Sequence, residues 1–245
     1  MDRKIVVVRA VCFDFDNTLQ DLDAAFDVAA TKVLEPFVRD RGYTLADVKN
    51  ALNGTWPSVW DEFMAGTRPE PALYPEWFRR AFHTLDVLPS PDQLSLLVAQ
   101  YHQVFDSALA LFPDVDRALL RVKNWRRPPD LAILTNGPGE RQRMRIRALG
   151  LDWIPHLVIS EEVGIGKPHP EFFHTALRAL DVRPEHAVMV GDTVEADIVG
   201  ARSVGMMSIW LNRRKTADPR SALADATVGD LDDAVQVMES WTSEG

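Results

Sequence analysis

Cysteine is almost missing from this sequence: Cys12 is the only one in 245 residues. A single thiol excludes an internal disulfide and a cysteine-based zinc cluster, and it fits a reducing compartment. Long apolar runs are missing as well, and no segment reaches the roughly 20 residues that a membrane-crossing helix needs. The opening stretch MDRKIVVVRAVCFDF starts basic, but Arg9 breaks its apolar run and acids end it, unlike a secretory leader. The expectation is a cytoplasmic protein with no membrane partner. A basic excess is also lacking. The net charge is −9, which argues against a nucleic-acid polymer as partner. The one dense basic run, Arg141, Arg143, Arg145 and Arg147, alternates with other residues. On a helix, alternate residues are spread by about 200°, so the run is expected to wrap a solvated face. Neither internal repeats nor low-complexity tracts are present.

What is present is ordinary for a folded chain, with 46% hydrophobic and 26% charged residues, so no disorder is called for. The length suits one large domain, or a core domain carrying an insertion, that buries roughly 70 to 75% of its unfolded surface. Residues 5–15 read as a buried strand. From Asp21 to about Phe112 the strand signal gives way to helical periodicity, as in Leu94, Leu97, Val98, Tyr101, Val104 and Phe105. Pro69, Pro71, Pro75, Pro89 and Pro91 are expected in the connections between these helices, and Trp56, Trp60 and Trp77 in a small core among them.

Beyond Phe112 helix and short strand alternate. Strands are expected at 131–134, 157–160, 187–190 and 207–211, with helices at 114–125, 138–151, 170–180, 194–205 and 230–241. This pattern predicts an α/β fold: a doubly wound, Rossmann-like parallel sheet with an all-helical insertion. The expected division is a core of 1–20 and 112–245 around an insertion of 21–111.

In open parallel sheets, ligands bind beyond the carboxyl ends of the strands. Asp14 and Asp16 end the first expected strand, and two-residue spacing on a strand points both the same way. Thr135 and Asn136 follow the second, Gly191 and Asp192 the fourth. The third leads through a loop to Lys167, flanked by Gly164, Gly166 and Pro168. Each has a plainer reading. Thr135 and Asn136 suit a turn before Gly137, Lys167 a solvated loop, and Asp192 a helix N-cap with Glu195 completing a capping box. All of them on one edge favour a site. A hydroxyl, backbone N–H groups and an ammonium neutralise phosphate oxygens, and Asp14 and Asp192 offer hard ligands to Mg²⁺. The set suits phosphoryl transfer, with one aspartate attacking phosphorus and the other moving protons.

The segments DFDNT at Asp14–Thr18, TN at Thr135 and Asn136, GKP at Gly166–Pro168 and GDTVEAD at Gly191–Asp197 resemble, in order and spacing, the haloacid dehalogenase superfamily, in its phosphatase branch with a helical cap. The resemblance covers nearly the whole chain. It implies that Asp14 is the nucleophile and a Mg²⁺ ligand, and that Asp16 is the acid and base with its carbonyl on the metal. It also implies that Thr135 and Asn136 hold the phosphoryl group, Lys167 bridges the charges, Asp192 binds Mg²⁺, and Asp197 supports the metal and its waters. The insertion would be a mobile cap that excludes water. Dehalogenases of this family lack the second aspartate, because a leaving halide needs no proton. Asp16 therefore points to a phosphatase; the first motif and the glycine-rich lysine loop resemble the subgroup acting on small phosphate esters such as nucleotides and sugar phosphates, and either a monomer or a homodimer is expected. A phosphotransferase or mutase, and a non-catalytic binding module, are the alternatives. His169 and His174 lack the spacing of a zinc site.

Overall fold

The computed structural model describes residues 7–242. The chain forms two compact units, one running up to Gln20 and again from Leu111, the other Asp21–Ala110. Strand β1 spans Ala10–Phe13, shorter than the expected 5–15, of which residues 5 and 6 lie outside the described residues. It stops early because the chain turns. The N–H groups of Leu19 and Gln20 both return to the Phe15 carbonyl, at 3.0 and 3.1 Å, and Asn17 takes a left-handed backbone at φ 61°. Asp14 and Asp16 thus lie beyond the ladder, and strand alternation no longer governs where they point.

The Asp21–Ala110 unit is helical. Helix α1 (Leu22–Ala29) runs through a π-helical stretch, Ala30–Leu34, into α2 (Glu35–Arg39). Helices α3 (Leu45–Met64), α4 (Glu70–His83) and α5 (Pro91–Ser107) follow. Reciprocal capping boxes start α3 at Thr44 with Asp47 and α5 at Ser90 with Gln93, satisfying otherwise orphaned N–H groups. Leu34, Leu52, Leu73, Phe78 and Tyr101 form the core, with Trp77 buried among them and its indole N–H donating to the Leu52 carbonyl at 2.9 Å. Trp56 and Trp60 are only partly buried against it. One expectation fails here. Pro75 lies inside α4 and not in a connection. A mid-helix proline costs about 3 kcal/mol, but Leu73, Trp77, Phe78, Ala81 and Phe82 around it are all buried, and each large side chain so buried returns about 1.5–3 kcal/mol.

The other unit continues with α6 (Val115–Lys123), β2 (Asp130–Thr135), α7 (Gly139–Ala148), β3 (His156–Ile159), α8 (Ser160–Val163) and α9 (Pro170–Leu180). After these come β4 (Ala187–Gly191), α10 (Gly200–Ser203), β5 (Met207–Leu211), β6 (Ala226–Val228) and α11 (Leu231–Thr242). The six strands are parallel in the order β3-β2-β1-β4-β5-β6. β6 was not expected, since three residues are too few to carry a strand pattern. The helix expected over 194–205 is instead a π-helical stretch, Val194–Val199, followed by α10.

Alternation along β1 divides the core. Val11 and Phe13 pack with Leu119 and Val122 of α6 and Val235 and Met238 of α11. Ala10 and Cys12 face Phe172, Phe173 and Leu177 of α9. Burial pushes the Cys12 thiol up to about 12, so it packs as a small apolar group. Truncating Phe13 to alanine would cost about 3–5 kcal/mol. With β2 on one side and β4 on the other, β1 sits where the strand order reverses, and ligands bind beyond strand ends at such a point.

Candidate active site

Asp14 is the first residue past β1, anchored by its N–H to the Val190 carbonyl at 2.9 Å. Lys167 reaches it from the loop after α8, and its Nζ donates to Asp14 Oδ1 at 2.6 Å and to Asp197 Oδ1 at 2.7 Å. All three side chains are buried. Asn136 fixes the approach of that lysine. Its side-chain amide donates to the Lys167 carbonyl at 2.8 Å and accepts the Lys167 N–H at 2.8 Å. The Asn136 side chain is thereby committed to the lysine loop, leaving its backbone to face other partners. Gly137 N–H donates to Ser160 Oγ at 2.9 Å, tying the loop after β2 to the start of α8.

Asp197 stands on the π-helical stretch and accepts the Thr193 N–H on Oδ2 at 3.0 Å. Its close approach depends on Gly191, where a Cβ would lie 2.3 Å from Asp197 Cγ. The Asp192 carbonyl accepts the Trp210 indole N–H at 2.8 Å. Asp192 does not cap a helix. Thr193 occupies the N-cap position without a side-chain bond, and Glu195 pairs with Arg220.

Asp14, Asp192 and Asp197 each place a carboxylate oxygen within 4.8 Å of the others. Burial raises Asp14 well above the carboxylate range; Lys167 opposes this, while Asp197, Asp192 and Asp16 add to it. Asp192 is pushed up to about 7, again by burial first and then by Asp197. Burial would lower Lys167, but Asp14 and Asp197 outweigh it and raise the ammonium above its ordinary value. The buried Lys167 ammonium therefore stands against three acids, with Arg214 a lesser charge at Asp192. Asp14 Oδ2 is buried without a hydrogen-bond partner. An all-oxygen donor set with an orphaned carboxylate oxygen and surplus negative charge fits Mg²⁺.

Asp16 takes the opposite surroundings. Arg145 meets it as a fork, Nη1 to Oδ1 at 3.1 Å and Nη2 to Oδ2 at 3.2 Å. Gln20 Nε2 donates to Oδ1 at 2.5 Å and Gln142 Nε2 to Oδ2 at 3.1 Å. Gln142 Nε2 also reaches Thr135 Oγ1 at 2.6 Å and the Asn136 carbonyl at 2.9 Å. This corrects the expectation that the arginine run is solvated. Arg143 and Arg147 are exposed, but Gln142, Arg145 and Ile146 are buried, because residues three and four apart share the inward face of α7. Gln20, Gln142 and Arg145 are site residues that the sequence reading missed. The i, i+3 spacing of Gln142 and Arg145, just after Thr135 and Asn136, was the available signal.

His169 Nδ1 accepts the Glu171 N–H at 3.3 Å as the N-cap of α9. Arg68 is paired with Glu62 at 2.5 Å within the helical unit. Trp56 and Trp77 line a cavity of about 200 Å³ in that unit with Phe26, Tyr74, Tyr101 and Phe105. Among the described residues no helix is long and apolar enough to cross a membrane.

Residues 8–205 match the protein family described as haloacid dehalogenase-like hydrolase. The glyceraldehyde 3-phosphate phosphatase of Pyrococcus furiosus is 29% identical over 95% of this chain and 93% of its own. The phosphoserine phosphatase of Thermus thermophilus is 43% identical over 49% of this chain and 48% of its own. Among solved structures, the magnesium-bound HAD-hydrolase YfnB of Bacillus subtilis shares the fold, with a TM-score of 0.73 at 22% identity, covering 95% of this chain and 99% of that one.

Proposed function

The chain belongs to the haloacid dehalogenase-like hydrolase family and is an enzyme, and from that premise we propose that it is a Mg²⁺-dependent phosphatase of small phosphate monoesters. The observation that carries this reading is the Asp14 carboxylate, buried with one oxygen on the Lys167 ammonium and the other without a partner. A group so placed is a poised nucleophile. Asp14 attacks phosphorus, the bond from phosphorus to the ester oxygen breaks, and the departing alkoxide takes a proton from Asp16. Water then attacks the aspartyl-phosphate, returning a proton to Asp16 and releasing Asp14 with free phosphate.

Asp14, Asp192 and the Asp16 carbonyl would hold Mg²⁺, with Asp197 supporting it; when bound, the ion offsets the acids' repulsion of phosphate and polarises the phosphoryl group. Lys167 shares that charge on the other side of Asp14. The Thr135 hydroxyl and the backbone at Asn136 receive the phosphoryl oxygens. Asp16 distinguishes the reaction, since an alkoxide needs a proton on leaving and a halide does not. The phosphatases similar to this chain are named for glyceraldehyde 3-phosphate and phosphoserine, both monoesters on small polar skeletons, and the same substrate class is assigned here.

Phosphate release from a panel of sugar phosphates, nucleotides and phospho-acids, with and without Mg²⁺, tests the reading. Mg²⁺-dependent release from at least one is expected. Release that ignores Mg²⁺, or that survives Asp14→Asn, would sink it.

A further inference from the structure

We propose that Arg145 and Gln142 are positioning residues for catalysis: together they form a seat that fixes the plane of the Asp16 carboxylate and ties it to Thr135. This inference rests on the phosphatase reading and deepens it.

The geometry is that of a built support. The two terminal nitrogens of Arg145 run parallel to the two oxygens of Asp16, at 3.1 and 3.2 Å, the fork that suits a planar carboxylate. A fork of this kind removes rotation about the carboxylate axis, which a single hydrogen bond does not. The arginine is itself held. Its side chain is 9% exposed, the guanidinium carbon lies 5.5 Å from the centroid of the Phe15 ring, and Nη2 also donates to Gln142 Oε1. Gln142 is fully buried and turns its amide nitrogen towards Asp16, Thr135 Oγ1 and the Asn136 carbonyl. Gly137 makes room for it, since a Cβ there would lie 3.0 Å from Gln142 Nε2.

Neither residue is accessible enough to grip a substrate. Each acts through another group, Arg145 through Asp16 and Gln142 through both Asp16 and Thr135. The acid that protonates the leaving oxygen and the hydroxyl that receives the phosphoryl group thus share one support. Such supports matter because a displacement of about 1 Å at a reacting group costs about 10²-fold in rate. For Arg145, which acts through Asp16 alone, the effect must fall on the step in which the leaving oxygen takes its proton; Gln142, which also holds Thr135, serves that step and the phosphoryl oxygens together.

The test compares leaving groups. In Arg145→Lys the charge stays and the fork is lost; in Gln142→Met the volume stays and the amide is lost. Both are measured with Mg²⁺ on the alkyl monoester that the wild type hydrolyses fastest and on 2,4-dinitrophenyl phosphate, whose leaving group departs without a proton. The expected result for Arg145→Lys is a fall in kcat of about 10- to 100-fold on the alkyl ester, KM within about 2-fold, and a far smaller fall on the aryl ester; Gln142→Met, which also frees Thr135, should lose kcat on both esters, with the larger loss on the alkyl one. Equal losses on both esters would assign the residues a merely structural role and overturn the proposal, as would unchanged kcat or a change confined to KM. If Arg145→Lys does not fold by circular dichroism, Gln142→Met decides alone. A wild type inactive on both esters would instead remove the phosphatase reading itself.

Discussion

Two aspartates two residues apart, Asp14 and Asp16, end in contrasting surroundings. Asp14 lies among acids, with one lysine to offset Asp192 and Asp197. Asp16 lies among donors, with Arg145, Gln142 and Gln20 on its two oxygens. The first arrangement is short of positive charge and calls for a cation. The second is complete without one. The turn at Phe15–Asn17 separates them: it lets neighbouring residues of one chemical type do different work, because the protein around each, and not the residue, sets its task.

The largest test of this contrast is Asp14→Asn, which should lower turnover by on the order of 10⁵-fold or more while circular dichroism reports an intact fold. Chelation comes next. Removing divalent ions with EDTA should abolish phosphate release, and Mg²⁺ should restore it. Asp16→Asn should be gentler, losing about 10²- to 10⁴-fold on alkyl esters and less on aryl esters; a loss as complete as that of Asp14→Asn on both would erase the distinction.

The acidic cluster also predicts a pH dependence of stability. In the metal-free protein Asp14 and Asp192 have raised folded values, Asp192 about 7, so the folded state keeps protons that the unfolded chain releases. Their contribution is full below the ordinary carboxylate value of about 4 and declines as pH rises; that of Asp192 is lost above about 7, and that of Asp14 as pH rises through its own raised value. The lowered acids, such as Glu76 at about 2, have the opposite sign but complete their contribution below about pH 5. Between pH 5.5 and 8 the Tm of metal-free protein should therefore fall, whereas the rise in Tm caused by Mg²⁺ should grow, since binding requires the ionised carboxylates. A flat Tm in EDTA over this range would count against the cluster's shifted protons. The smallest effect belongs to Arg143→Ala. Its pair with Glu162 at 2.6 Å is largely exposed, and the substitution should cost under about 1 kcal/mol by urea unfolding, in contrast to the buried Arg145 two residues on, on the opposite face of α7.

Much of this was legible in the sequence. The ends of β2 and β4 fall within one residue of the expected 134 and 190, because short apolar runs stop abruptly at polar residues, whereas β1 ends at Phe13, two residues before the expected 15. The support beneath Asp16 was not legible. A string of alternating arginines looks the same whether one of them is buried or none, and the choice depends on which face of α7 the sheet covers. Pro75 misled for a related reason: proline's local cost is visible, but the burial of Trp77 and Phe78 that offsets it is tertiary. The three residues of β6 carry too little pattern to announce themselves.

The pair of hydrogen bonds between the Asn136 amide and the backbone of Lys167 has a consequence for recombining parts of this fold. Asn136 donates to the lysine carbonyl and accepts its N–H, both at 2.8 Å, as a neighbouring strand would. The loop after β2 and the loop after α8 are therefore a single exchangeable module and not two. A chimera that imports one of them from a relative without the other inherits half of a two-part lock, and its lysine loses its aim even when every residue of both motifs is present.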